Sequence, residues 1–185
     1  SGVDGDDLRF DPLDGNLITL DSLRAGDAYD IESEPEAPYR SEDGLGLWVA
    51  GAPDDEAAQF QEAALRIVGD AETATAKLDA LVGWFHDTTK YDLQARPGHN
   101  RSRLLDFVDD PEPSGYEEQV AASFALLARA VQLEVRVVVG YETEFVGEVA
   151  TVRSSDLTAW DEIRVADGTW RSIDVTPEEP ADATV

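Results

Sequence analysis

Apolar residues recur along the chain at two spacings, which divide it into helical and extended stretches. Phe60, Ala64, Ile67 and Val68 fall on one face at helical spacing, with Pro53-Asp54-Asp55 opening the helix and Gly69 ending it. A second helix is predicted from about Glu72 to Asp87, with Leu78, Leu81, Val82 and Phe85 turned inward. Thr88 to Asn100 reads as a loop, and Arg103 to Val108 as a short helix closed by Asp109-Asp110-Pro111. A longer helix is predicted from about Glu117 to Gln132. Its apolar positions Val120, Phe124, Leu127 and Val131 are spaced four, three and four. Ala121, Ala122, Ala125 and Ala128 on the same helix let neighbours pack closely.

The extended pattern dominates the two ends. Residues 1 to 14 are acidic and Gly-rich and are expected to be frayed. Leu17-Ile18-Thr19-Leu20, Tyr29-Asp30-Ile31 and Leu47-Trp48-Val49 read as short strands, with Pro35 and Pro38 in loops. After the long helix come Val135 to Tyr141, Leu157 to Val165 and Thr169 to Val175, joined by a loop around Gly147 and a turn at Asp167-Gly168. Helices followed by a helix that feeds an antiparallel sheet make an α+β layout. The 185 residues suit about one domain. It is divided into an N-terminal extension over 1–52, packed on or leading into the core, a core over 53–177 and an acidic tail over 178–185.

Charge narrows the function. There are 40 acidic against 14 basic side chains, a net charge of −26, and the acid is spread along the whole chain. Such a surface repels phosphate backbones and anionic lipid, so neither nucleic acid nor direct membrane binding is expected. Concentrated salt would screen the self-repulsion, so a salt-adapted source is expected. At low salt the charge opposes self-association, which suggests a monomer or weak dimer. There is no Cys, which excludes disulfides, thiolate metal sites and cysteine nucleophiles. The chain begins at Ser1 and has no Met, so it is expected to be cut from a longer protein with hydrophobic spans beyond one or both ends.

A family resemblance rests on a series of short pieces in order. They are Trp84-Phe85, Tyr91-Asp92-Leu93, Pro97-Gly98-His99, Leu105-Asp106-Phe107, Gly115-Tyr116-Glu117-Glu118-Gln119 and Leu127-Ala128-Arg129-Ala130. Arg136 to Tyr141, Ala159-Trp160-Asp161-Glu162 and Trp170 to Pro177 follow. Across roughly Pro53 to Pro177 the chain resembles the transglutaminase-like (papain-type) superfamily, in the branch found in multi-pass membrane proteins of bacteria and archaea. The resemblance implies an α+β fold with a central helix on an antiparallel sheet and a location on the extracytoplasmic face of a membrane. It also implies a nucleophilic Cys at the start of the central helix, a His on a strand as base and an Asp on the next strand to orient it.

This sequence departs from that pattern at two of the three positions. Glu117 stands at the Cys position and Thr158 at the His position; Asp174 alone matches. A carboxylate attacking an amide would give an anhydride, and Thr158 cannot shuttle a proton near neutrality. Neither His86 nor His99 matches the family's His. No catalytic residue and no cofactor are therefore expected, and the resemblance implies a non-catalytic domain that binds or scaffolds an unknown protein or peptide. Trp84, Tyr116 and Trp160 are candidates to line its cleft.

Plainer roles suit the same residues. Glu117 is also a favourable acid at a helix N-terminus, Thr158 a β-favouring residue, and Asp174 an acceptor that holds the sheet. Two alternatives use the acids chemically. Glu117 and Asp174 could form a hydrolytic carboxylate pair. With Asp161 they could instead hold calcium or magnesium, which prefer oxygen ligands.

Overall fold

A computed structural model describes residues 8–11, 16–19, 37–41, 46–141, 145–147 and 149–177. The chain forms two compact units, Ser1–Pro35 and Glu36–Val185. In the first, β1 (Leu8–Asp11) pairs antiparallel with β2 (Asn16–Thr19), Leu8 opposite Thr19. Leu8 to Asp11 are therefore not frayed; the apolar-polar alternation of Leu-Arg-Phe-Asp supports a strand despite its acidic flanks. The strand expected at Tyr29 to Ile31 and the tail over 178–185 lie outside the described residues.

The second unit opens with residues that add to a sheet. Trp48 N–H donates to the Arg164 carbonyl at 2.9 Å, and Ala50 N–H to that of Gln132 at 2.8 Å. Leu47 and Val49 make single bridges to Val165 and Leu133, where a continuous strand was expected. Asp54 then begins the helical layer: its carboxylate accepts the Ala57 N–H at 2.8 Å, and that bond, ahead of Arg129, holds its pKa below the ordinary value. A 3₁₀ turn over Ala57–Phe60 runs into α1 (Gln61–Val68), which stops at Gly69 with φ 53°.

Local side-chain caps set the next two starts. Thr73 Oγ1 accepts the Ala76 N–H at 3.1 Å and opens α2 (Ala74–Thr88). Asn100 Oδ1 accepts the Arg103 N–H at 3.2 Å, which starts α3 (Arg101–Asp109) two residues earlier than the apolar pattern indicates. The expected loop between them holds a short strand, β3 (Lys90–Tyr91), paired in parallel with β4 (Ser114–Gly115). Two residues are too few for periodicity to reveal.

Helix α4 (Glu117–Ala130) is the centre of the unit. Ten of its 14 residues are buried, as suits a helix covered on all sides. α1, α2 and α3 pack on it, and the later strands Val135–Tyr141 and Leu157–Arg164 lie against it as well. The Phe124 ring meets Phe85 at 5.8 Å, and Phe85 stacks on Phe107 at 6.4 Å. Val120, Leu127 and Val131 are buried as their spacing predicts. Ile67 and Val82 are half-buried at the edge of this core. The helix ends when Gln132 takes φ 69°.

The sheet follows, in the order β5 (Val135–Tyr141), β8 (Leu157–Arg164), β9 (Trp170–Ile173), all antiparallel. Its register sets Val135 opposite Ile163, Gly140 opposite Thr158, and Asp161 opposite Ile173. The expected loop around Gly147 is a small hairpin of β6 (Phe145–Val146) and β7 (Val149–Ala150). Alternate residues of β5 share one face, and their exposure rises from 8% at Val135 to 40% at Val137 and 65% at Val139. One end of that face is sealed against the core and the other is open.

Candidate functional site

The open end of the sheet and the head of α4 enclose a cleft of about 540 Å³. Glu117, Thr158 and Asp174 all border it, so the three positions singled out in the sequence converge. Trp160 borders it too, while Trp84 and Tyr116 do not. Trp84 sits on α2 edge-on to Phe85 at 4.9 Å, against the core. The Tyr116 hydroxyl instead donates to Glu118 Oε2 at 3.1 Å.

Glu117 is the first residue of α4, where the unpaired N–H groups favour negative charge. The Tyr91 hydroxyl donates to its Oε1 at 2.6 Å. The β3–β4 ladder makes this contact possible by setting Tyr91 opposite Gly115, two residues before Glu117. Gly115 itself allows the close packing: a Cβ there would come within 3.1 Å of the Phe107 ring and 3.2 Å of Gln119 Cβ. Gln119 is fully buried and ties the preceding loop to the helix. Its Oε1 accepts the Tyr116 N–H at 3.2 Å, and its Nε2 donates to the Gly98 carbonyl at 3.3 Å. His99 pairs with Glu118 beside it. His99 is thus a loop-ordering residue, and His86 is exposed in the last turn of α2.

Across the cleft, Thr158 is half-buried on β8 opposite Gly140. Trp160 rests over that glycine, where a Cβ would come within 2.8 Å of the indole ring. Asp174 lies just past β9, exposed, and its Oδ1 accepts the Thr176 N–H at 3.1 Å.

Asp161 is the third acid bordering the cleft, and its environment is different. It is 0% exposed, and neither carboxylate oxygen has a hydrogen-bond partner among the described residues. Burial pushes its pKa well above the ordinary 3.8, because the charged form loses its water. The alternation on β8 could have shown this beforehand. Asp161 shares its parity with Ile163 and Val165, so it occupies a core-facing position. Tyr91, by contrast, reaches Glu117 only through a two-residue ladder that leaves no sequence signal.

Among the described residues, those bordering the cleft include three carboxylates and no Lys, Arg or His. Among the described residues no group of three or more His, Cys, Asp or Glu could hold a metal. The calcium or magnesium alternative at Glu117, Asp161 and Asp174 therefore has no metal-holding cluster behind it among the described residues. What remains is an acidic cleft with hydroxyl and aromatic neighbours and no thiol.

Residues 61–175 match the Transglutaminase-like superfamily. Among solved structures, the chain is similar to the periplasmic domain of TgpA from Pseudomonas aeruginosa bound to ethylmercury. That match has 25% identity and a TM-score of 0.55, over 68% of this chain and 46% of that one. A second structure of the same TgpA domain matches at 25% identity and a TM-score of 0.50, over 68% and 43%. A Cytophaga hutchinsonii protein, provisionally described as a cysteine protease, shares the fold at 22% identity and a TM-score of 0.50, over 65% and 37%. The chain thus spans less than half the length of each. No curated protein matches it.

Proposed function

The chain belongs to the transglutaminase-like superfamily, and we propose from this premise that it is a non-catalytic member that binds or scaffolds a protein or peptide. One observation carries the reading. At the head of α4, where the resemblance calls for a thiolate, a carboxylate is held by the Tyr91 hydroxyl at 2.6 Å. Thr158, across the cleft, offers a hydroxyl where a base is needed. With nucleophile and base both replaced, a cleft remains without the parts that family chemistry uses to move electrons and protons.

The same reading places the chain outside the cytoplasm as part of a larger membrane protein from a salt-adapted source. The similar TgpA domain is periplasmic. The charge of −26 supports the salt-adapted part. Among the described residues no helix is long and apolar enough to cross a membrane, so in this reading the anchor lies elsewhere in the parent protein.

The test is turnover. Purified chain should neither join a glutamine peptide to a primary amine nor cleave peptides faster than buffer does. Turnover that disappears in Glu117→Gln would overturn the reading and favour a carboxylate hydrolase using Glu117 and Asp174.

A further inference from the structure

Asp161 carries the proposal. A fully buried carboxyl with both oxygens unpartnered is a costly arrangement, and native proteins seldom keep one without a use. This one borders the cleft together with Glu117 and Asp174. We propose that the cleft is a receptor for an arginine side chain of a partner peptide, with its guanidinium between Glu117 and Asp174 and reaching the Asp161 carboxyl, closed over in the free chain, as the cleft wall parts around it. The inference rests on the binding role proposed above and names its ligand class.

Three features select this occupant. The first is charge: among the described residues no Lys, Arg or His borders the cleft, where Glu117 and Asp174 supply negative charge. The second is size. Among the described residues the acids form no cluster that could hold a bare metal ion, and about 540 Å³ accommodates a side chain with its flanking backbone. Ala121, Ile173 and Val175 give the methylene stem an apolar wall. The third is chemistry. A guanidinium is weakly hydrated and presents a planar fork of donors to a carboxylate, so it enters a desolvated site more readily than an ammonium.

The protein uses the same recognition elsewhere on its sheet. Arg136 meets Glu162 Oε2 at 2.8 Å through Nε and at 2.7 Å through Nη2, and lies over the Trp170 ring at 4.5 Å. Beside the cleft, Val137, Val139 and Tyr141 leave exposed apolar surface along β5 for the residues flanking the arginine.

Binding should be coupled to a proton. Burial raises the Asp161 pKa and so favours its protonated form, whereas an arriving guanidinium would favour the carboxylate and expel a proton to solvent. The ionisable groups bordering the cleft around Asp161 are Glu117 from α4, Tyr141 from β5 and Asp174 beyond β9. Arg171 on β9 donates to the Ala37 carbonyl at 3.5 Å.

The experiment is calorimetric titration at low salt with a blocked Gly-Arg-Gly peptide, repeated in buffers of different ionisation enthalpy. The Arg peptide should bind with net proton release. Its citrulline counterpart, of the same shape without the charge, should bind at least ~10-fold more weakly. Asp161→Asn copies the protonated acid and should keep the fold, as circular dichroism will show, while weakening the Arg peptide at least ~10-fold and abolishing proton release. Asp167→Asn, in the turn before β9, should bind as the native chain does. Equal binding of the Arg and citrulline peptides would overturn the inference and leave a peptide-binding cleft standing. No binding of either peptide would overturn the inference, and so would unchanged affinity in Asp161→Asn. Agmatine binding as tightly as the peptide would overturn the peptide source in favour of a free small cation.

Discussion

The two ends of α4 and of the sheet behind it are built from the same elements but behave as different materials. At the C-terminal end of the helix, Phe124, Leu127 and Val131 meet Val135, Ile163 and Val165, and every one is buried. At the N-terminal end, Glu117 faces a cleft bordered by Thr158, Asp161 and Asp174, and Val139 and Tyr141 of β5 are exposed nearby. Apolar burial of about 25 cal/mol per Å² operates throughout the first end, while at the second it is confined to residues such as Val120, Ala121, Ile173 and Val175 behind the polar cleft positions. The lesson is separability. On the function proposed above, a sealed end that specifies the fold would let the open end carry a carboxylate and a hydroxyl, where the resemblance implies a thiol and an imidazole, without unfolding the domain.

Attacking the sealed end should have the largest effect. Phe124 is 0% exposed and meets Phe85, so Phe124→Ala should lower unfolding free energy by about 3–5 kcal/mol in a urea titration. A loss below about 1 kcal/mol would mean the core is not where stability lies.

Asp161 sits where the two ends meet, and replacing it should have the opposite sign. Its folded pKa lies above the unfolded 3.8, so the folded state holds a proton that the unfolded state releases. Stability from this group is fully present below 3.8 and is lost as pH rises toward the folded value. Asp161→Asn cannot ionise. It should therefore stabilise the chain at pH 7 by more than about 1 kcal/mol, with the gain vanishing towards pH 3. A gain that does not change with pH would show that ionisation is not its cause.

Salt should act more gently on both ends. With a net charge of −26, the melting temperature should climb by several degrees between ~0.1 and 2 M NaCl as mutual repulsion is screened. Melting that ignores salt would detach the acidic surface from salt adaptation and assign it to a partner.

The sequence disclosed the two ends unequally, for physical reasons. α4 was legible because a four-three-four spacing of Val120, Phe124, Leu127 and Val131 repeats over several turns. The sheet was legible because each strand is long enough to show extended pattern and each is bounded by turn residues. Caps were harder: Asn100 begins α3 by a single hydrogen bond, which apolar spacing does not encode. β3 and β4 were hidden because two-residue strands have no period. At the site, the positions of Glu117, Thr158 and Asp174 followed from the family resemblance, and the structure brings them to one cleft. Tyr91 did not follow from it, since its contact with Glu117 depends on tertiary pairing. Trp84 was misplaced for a related reason: an aromatic residue on a partly buried helix can turn to a cleft or to a core, and this one lies against Phe85.

The separability of the two ends is tested most directly by unfolding a chain with all three cleft positions changed at once to near-isosteres: Glu117→Gln, Thr158→Val and Asp174→Asn. Each keeps its size, and Gln and Asn keep an acceptor for the Tyr91 hydroxyl and the Thr176 N–H. If the two ends are separable, the denaturation curve should lie within about 1 kcal/mol of the native chain's, with an unchanged slope. A loss of about 3 kcal/mol or more, as large as that expected for Phe124→Ala, would contradict it, because the cleft residues would then be part of what holds the fold together.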